Sequence, residues 1–358
     1  MIQPLTSTID PWSPSGYPCG TCRGEMDRWG YAMMRRQLGR GGPEVSGLGL
    51  GCWAIGGPFW RGDNPLGGGA VDDAESVRAI QRGLELGVTV FDTADVYGAG
   101  HSERVLGEAL RGRRHHVVIA TKFGNVFDAA SKQITDADAS PAYIRRACEA
   151  SLRRLQTDYL DLLQMHIDAQ AEALPGILDT LEALVGEGTI RGYGWSTDDP
   201  EKARRFAERP HCNAVQFALN VLQDNPAMVA LLDERDLVGI NRGPLAMGLL
   251  TGKFNAGSQL AGDDIRGVGA PWLQYFQAGR PNPEWLARLE AVREILTSGE
   301  RSLTQGALAW IWGRSKRTVP IPGFRTVAQV EENAQALELG PLTAEQMHEV
   351  ETILGREA

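Results

Sequence analysis

Three apolar, β-branched runs in the chain each end on a side chain that can hold or move a proton. Val88-Thr89-Val90-Phe91 runs into Asp92, Val117-Val118-Ile119-Ala120-Thr121 into Lys122, and Tyr159-Leu160-Asp161-Leu162-Leu163-Gln164-Met165 into His166. Tyr97 stands five residues past Asp92, in a loop that feeds a helix beginning near Ser102. A buried parallel strand cannot hold an unpaired charge in its middle, so each polar residue belongs at a strand's C-terminal end. An acid, a lysine, a histidine and a tyrosine then meet at one rim. Singly, each has an ordinary structural reading: a helix cap or loop ion pair, a solvated cation, a satisfied core imidazole, an amphipathic packer. Together they suit proton donation to a carbonyl oxygen. A tyrosine hydroxyl titrates near ~10, and an adjacent lysine cation stabilises the phenolate and pulls that value down. Asp92 would hold Lys122 in place, and His166 would donate a hydrogen bond that orients the carbonyl. His101, His115, His116, His166, His211 and His348 lack metal-ligand spacing. A carbonyl polarised without metal or nucleophile needs an external reductant, which points to a nicotinamide.

The elements that must position these groups follow from periodicity. Short apolar strands are expected near 47–52, 88–92, 117–122, 159–166, 190–196, 213–218, 237–242 and 318–321. Amphipathic helices alternate with them near 74–86, 102–111, 141–155, 173–186, 199–208, 225–235 and 286–313, the last in two pieces. Leu178, Leu181, Leu184 and Val185 show the spacing of a face packed on a sheet. Gly87, Gly188 and Gly239 each precede a strand, where a helix C-cap glycine is expected. Eight strand–helix units imply an α/β fold, a (β/α)8 TIM barrel. The residues after Met34 read as an N-terminal β-hairpin turning at Gly41-Gly42, a lid on the closed end. Two extra C-terminal helices are expected near 326–337 and 343–354, the second capped by Thr343 and Gln346. Residues 1–32, Pro-rich and without hydrophobic period, read as a disordered extension or a misassigned start, and 33–358 as the barrel domain.

Net charge is −9 and no basic run exceeds short pairs, which argues against a nucleic-acid partner. No apolar stretch reaches ~18 residues, so no membrane span is expected. The polar N-terminus lacks a secretory h-region, and the reading is cytoplasmic. Cys52, Cys148 and Cys212 are scattered like reduced core thiols, and the Cys19/Cys22 pair lacks the second ligand pair that a zinc or redox site needs. The open doubly wound alternative binds dinucleotides through GxGxxG after its first strand, and that pattern is absent. GLLTGKF at 248–254 falls one residue short of a phosphate loop and has Phe254 where a hydroxyl must hold magnesium.

The chain resembles the aldo-keto reductase family over about residues 35–340. The likeness rests on GLGLGCWAIGG (47–57), FDTADVYGAGHSERVLGEAL (91–110), VVIATKFG (117–124), DLLQMH (161–166), IRGYGWST (190–197), NRGPLAMGLLTGKF (241–254) and IPGFRTVAQVEEN (321–333). The family, which includes the potassium-channel β-subunit branch, implies a TIM barrel and NADPH-dependent reduction of a small-molecule carbonyl substrate. The resemblance makes Asp92, Tyr97, Lys122 and His166 the catalytic tetrad. It assigns Ser196 and Gln216 to the carboxamide, with the nicotinamide ring stacked near Arg242. It also implies cofactor contacts from Gly51, Cys52, Trp53, Thr197, Gly243, Pro244, Leu245, Gly248, Leu249, Lys253, Gly323, Arg325, Gln329, Glu332 and Asn333. The small residues of 243–249 let backbone N–H groups approach a pyrophosphate. Arg325 at a helix start suits an adenosine 2′-phosphate, and Gln329, Glu332 and Asn333 lie at helical spacing for the adenine.

This sequence departs from the family at three places. Thr197 stands where many members carry Asn, Arg242 where many carry an aromatic stacker, and Ile167-Asp168 follow the histidine in place of an aromatic. Trp53, Trp60 and Phe123 are candidates for an apolar mouth, and the long segment 255–285, with Trp272, Tyr275 and Phe276, for a flap over the cofactor. Two other readings compete: a cofactor-sensing binding module, as in the potassium-channel β subunits, and a metal-dependent barrel hydrolase, disfavoured by the missing ligand spacing. The physiological substrate is not legible.

Overall fold

The computed structural model describes residues 12, 34–262, 264–268 and 273–356. Among these residues, eight parallel strands pair in chain order: β1 (Gly49–Gly51), β2 (Val90–Asp92), β3 (Val118–Phe123), β4 (Leu160–Met165), β5 (Ile190–Ser196), β6 (Cys212–Ala218), β7 (Val238–Arg242) and β8 (Thr318–Pro320). A parallel bridge from Gly51 to Gly323, with Gly51 N–H donating to the Pro322 carbonyl at 3.0 Å, closes β1 on the end of β8. The closure needs glycine: a Cβ on Gly51 would stand 2.7 Å from the Ile321 carbonyl oxygen. The fold is the expected (β/α)8 barrel.

Helices follow the strands: α1 (Asp73–Glu85), α2 (His101–Ala109), α3 (Pro141–Leu155), α4 (Leu174–Gly186), α5 (Pro200–Phe206), α6 (Pro226–Arg235), α7 (Pro283–Leu296), α8 (Leu303–Arg314), α9 (Val327–Leu339) and α10 (Ala344–Ile353). Four of them start alike. Ser140, Asp199, Asn225 and Asn282 each accept a backbone N–H of the first turn, and a proline fills the next position, where a missing N–H costs nothing. The helix expected over 286–313 is indeed two, with Ser302 and Gln305 forming a capping box that starts the second. Thr343 and Gln346 form the capping box expected for α10. Gly87 and Gly188 hold the positive φ expected of C-caps, but Gly239 lies inside β7. The left-handed residue that ends α6 is Asp236. At Gly239 a Cβ would meet Leu232 and Phe217, so packing between strand and helix explains that glycine.

Side-chain alternation sorts the strands into two cores. Val90, Val118, Ala120, Leu162, Ala214, Val238, Ile240, Val319 and Ile321 fill the barrel interior. Phe91, Ile119, Phe123, Leu163, Val215 and Phe217 face outward into the helical layer. The hairpin of Arg35–Gln37 and Glu44–Ser46 sits at the strands' N-terminal end, where Ser46 N–H donates to Thr89 Oγ1 at 2.9 Å. Its Leu38 and Val45 join the interior cluster, and so does Trp12. Trp12 is the one described residue of the 1–32 segment, and its side chain is buried, while Cys19 and Cys22 lie outside the described residues. A small four-stranded sheet was not anticipated. It joins the loops after β1 and β3 through Trp60–Arg61, Asn64–Pro65, Asn125–Asp128 and Gln133–Ala137, runs too short to carry a strand period. Among the described residues no helix is long and apolar enough to cross a membrane.

Candidate active site

The same alternation that fills the interior sets the chemistry. Asp92, Lys122, Gln164, Gln216 and Arg242 each lie two residues beyond an interior side chain, namely Val90, Ala120, Leu162, Ala214 and Ile240. They form the next layer up, at the C-terminal rim. Register sets Lys122 beside Gln164 and staggers the others by two residues, with Asp92 opposite Ala120, Gln216 between Ser196 and Ile240, and Arg242 opposite Ala218.

Lys122 is the hub. Its Nζ donates to Asp92 Oδ2 at 2.7 Å, to the Thr93 carbonyl at 2.7 Å and to the Tyr97 hydroxyl at 3.2 Å. Both members of the Asp92–Lys122 pair are buried. Burial opposes the ammonium charge, but Asp92 and Tyr97 outweigh it and hold the Lys122 pKa above its ordinary value. Asp92 Oδ1 accepts from Gln216 Nε2 at 2.7 Å and from Gln164 Nε2 at 3.3 Å. The carboxylate is therefore locked by three side chains.

Tyr97 rides a loop whose helix end is tied down by Ser102, which hydrogen-bonds Thr93 Oγ1 and donates to the Cys52 carbonyl, both at 2.8 Å. Lys122 does pull the tyrosine's proton affinity down, as expected, but burial is the larger effect and the net pKa is raised. The hydroxyl is protonated at neutral pH. His166 meets the Tyr97 ring edge-on at a centroid separation of 5.8 Å. Burial first, then the charges of Lys122 and Arg242, hold its pKa well below the usual histidine value, so the imidazole is neutral. Its Nδ1 is buried with no partner among the described residues. The four residues expected at one rim are together.

The other expected residues divide. Ser196 Oγ lies 3.5 Å from Gln216 Oε1, and Thr197 N–H donates to the Gln216 carbonyl at 2.9 Å. Gly51 and Cys52 line the seam, where Cys52 N–H donates to the Asp92 carbonyl at 2.8 Å. Trp53 Nε1 donates to the Leu66 carbonyl at 3.2 Å. The loop of Gly243, Pro244, Leu245, Gly248 and Leu249 runs through left-handed residues at Gly243, Ala246, Met247 and Gly248, with Leu249 fully buried. Two non-glycine residues held there mark a strained turn.

Lys253, Arg266 and Arg325 converge beyond this loop. Burial and then mutual repulsion lower the pKa of Lys253 and of Arg325, and Asp264, which grips Arg266 at 2.6 Å, partly offsets both. Arg325 also donates to the Gly68 and Ala70 carbonyls, and Gln329 accepts from Arg325 N–H at 2.7 Å. Gly323 pairs with Gly51. Glu332 accepts from Ser302 Oγ, the cap of the neighbouring α8, at 2.7 Å. Asn333 is buried in the α9 packing.

Two expectations about the mouth need correction. Phe123 is fully buried in the outer core, because its position in β3 has the outward parity of Ile119. A separate buried apolar cluster of Phe59, Ala94, Val96 and Ile134 lies beside the tyrosine loop, with Trp53, Leu66, Tyr97 and Phe127 packed on it. Tyr275 and Phe276 point into the core, where Tyr275 accepts from Asn220 at 2.9 Å, and Trp272 lies outside the described residues. Sequence reasoning passed over Gln164, Asp198 and Arg266. Gln164 was detectable, since it shares the inward parity of Leu162 and His166.

A second polar network lies behind the tyrosine loop. Glu103, fully buried, accepts from Thr121 Oγ1 and from Arg154 Nε, each at 2.6 Å. Asp95 is buried beside it with Oδ1 unpartnered among the described residues. Burial, then the Glu103 charge, holds the Asp95 carboxyl well above the ordinary carboxylate range. A carboxyl whose folded pKa is raised stabilises the fold fully only below its unfolded value and loses that contribution as pH rises. Asp95→Asn, neutral and isosteric, should therefore raise the urea midpoint at pH 7, with the gain shrinking as pH falls toward ~4. An equal gain at both pH values would mean that Asp95 titrates alike in the folded and unfolded chain.

The sequence model of the Aldo/keto reductase family matches residues 47–354. The chain is 29% identical to the uncharacterized oxidoreductase YqkF of Bacillus subtilis, over 88% of this chain and 94% of that one. Its structure is similar to the glycerol dehydrogenase AKR11B4 of Gluconobacter oxydans, with a TM-score of 0.76, 30% identity and coverage of 91% and 96%. It is also similar to an aldo-keto reductase of Klebsiella pneumoniae solved with NADPH, with a TM-score of 0.66, 25% identity and coverage of 91% and 97%. The chain belongs to the aldo/keto reductase family of oxidoreductases.

Proposed function

We propose that the chain reduces small aldehydes or ketones to alcohols with NADPH, and that Tyr97 supplies the proton. The observation that carries this reading is the Lys122 hub, which ties a protonated, buried tyrosine hydroxyl to a locked carboxylate. His166, neutral beside Tyr97, would orient the carbonyl oxygen toward that hydroxyl. Asp92 keeps Lys122 charged, and the lysine's charge stabilises the phenolate left when the proton departs. Phe59, with Trp53 and Phe127 packed in the same cluster, would shield the Tyr97 end of the site from water.

The residues beyond β7 and β8 fit a phosphorylated cofactor. Lys253, Arg266 and Arg325 lie close enough to repel one another, and Asp264 is their carboxylate. An anion there relieves that repulsion. Bound NADPH supplies the hydride. Arg325, by pairing with the 2′-phosphate, would distinguish it from NADH.

Arg325→Ala should raise the NADPH dissociation constant roughly tenfold or more, since a charge-assisted bond contributes about 1.5–3 kcal/mol. NADH binding should hardly change. Equal losses for both cofactors would remove Arg325 from this role. The function itself is tested by NADPH titration together with NADPH oxidation against a panel of carbonyl compounds. Tight binding with no turnover across the panel would favour a cofactor-sensing module instead.

A further inference from the structure

We propose that Arg242, latched to Asp198, makes this site discriminate between the oxidised and reduced forms of its nicotinamide cofactor by setting a cation beside the ring. The inference rests on the cofactor reading above and adds the redox state as something the chain itself selects.

Arg242 ends β7 with the inward parity of Val238 and Ile240, so its guanidinium belongs to the rim layer of Asp92, Lys122 and Gln216. After burial and Lys122, the Arg242 charge is the next influence that lowers the proton affinity of His166, and it acts in the same direction on Tyr97. The cation is thus felt at the reacting end of the site. The chain leaving Arg242 is the strained loop that leads to Lys253, beside Arg266 and Arg325. A ligand with its phosphates at those cations and its reactive end at Tyr97 must pass over the end of β7.

The two redox forms differ there in charge. The oxidised nicotinamide ring carries a formal positive charge, and the reduced ring is neutral. A guanidinium at that point therefore penalises only the oxidised form. An aromatic side chain would not, because its face attracts a cation. Asp198 moderates the effect without cancelling it. Its Oδ2 pairs with Arg242 Nη2, while its Oδ1 accepts the Ala218 N–H at 2.7 Å and its carbonyl accepts from Asn225 Nδ2 at 3.0 Å. The carboxylate is anchored to β6 and the loop ahead of α6, so it cannot follow the guanidinium inward. Both partners are partly exposed, at 42% and 46%, so solvent screening limits the preference to several-fold.

The test is a pair of fluorescence titrations, with NADPH and with NADP+, on the parent protein, Arg242→Gln and Asp198→Asn. The parent should bind NADPH more tightly than NADP+. Arg242→Gln should shrink that ratio by about fivefold, mainly by improving NADP+ binding, and Asp198→Asn should widen it. Raising salt should narrow the parent ratio toward that of Arg242→Gln. An Arg242→Gln ratio equal to the parent's, or an Asp198→Asn ratio that narrows, overturns the proposal while leaving the cofactor assignment intact. A parent protein that binds neither form overturns both.

Discussion

Replacing Tyr97 by phenylalanine is expected to lower carbonyl reduction by about 10²–10⁴-fold while NADPH still binds with near-parental affinity. Hydride arriving at the carbonyl carbon leaves negative charge on oxygen, and a positioned acid quenches it in the transition state. The Tyr97 hydroxyl, 3.2 Å from Lys122 Nζ, is placed to be that acid. The substitution deletes one oxygen and keeps the ring against Phe59 and His166, so packing is preserved. Lys122→Met is a less clean probe. It too should slow turnover, but it strands the buried Asp92 carboxylate without its cation and so costs stability as well. Single-turnover rates with prebound NADPH separate the two effects. If Tyr97→Phe reduces aldehydes at the parental rate, the proton comes from elsewhere and the tetrad assignment fails.

Arg154→Met is expected to destabilise the fold by about 3–5 kcal/mol, because it removes the cation from a fully buried carboxylate. Glu103 would keep only the Thr121 hydroxyl as a side-chain donor. The double variant Glu103→Gln with Arg154→Met should recover much of the loss, since no buried charge is then stranded. Urea unfolding of the two single variants and the double measures the coupling. A coupling near zero would show that the pair contributes nothing beyond its packing. The network lies behind the tyrosine loop. A Cβ at Gly100 would stand 2.6 Å from Arg154 Cδ, so the loop rests on this arginine. Arg154→Met should therefore also reduce turnover per folded molecule.

The order of elements was legible because hydrophobic period and punctuation are local properties. All eight strands fall within about two residues of the bounds their apolar runs set, since a buried parallel strand is predominantly apolar. The same rule placed Asp92, Lys122 and His166 at the rim, because an unpaired charge is excluded from the strand interior, whereas Asp161 sits inside β4 paired with Arg114 at 2.6 Å. Gly239 was misread because a C-cap glycine and a close-packed strand glycine look alike in sequence. Phe123 was misplaced because a residue at a strand end looks like mouth until the parity of the whole strand is counted. Pairing decided what period does not encode. Barrel closure brings Gln216 to Asp92 across 124 positions, and only the folded loops bring Asp198 to Arg242 or Arg266 to Lys253 and Arg325. Whether a polar residue serves the site or the scaffold is likewise a tertiary outcome. Glu332 lies at the helical spacing of a ligand contact, and the packing of α8 beside α9 also gives it Ser302 as a partner. The chain's local pattern determines which residues reach the rim, and close packing between distant segments decides their partners and their charge states.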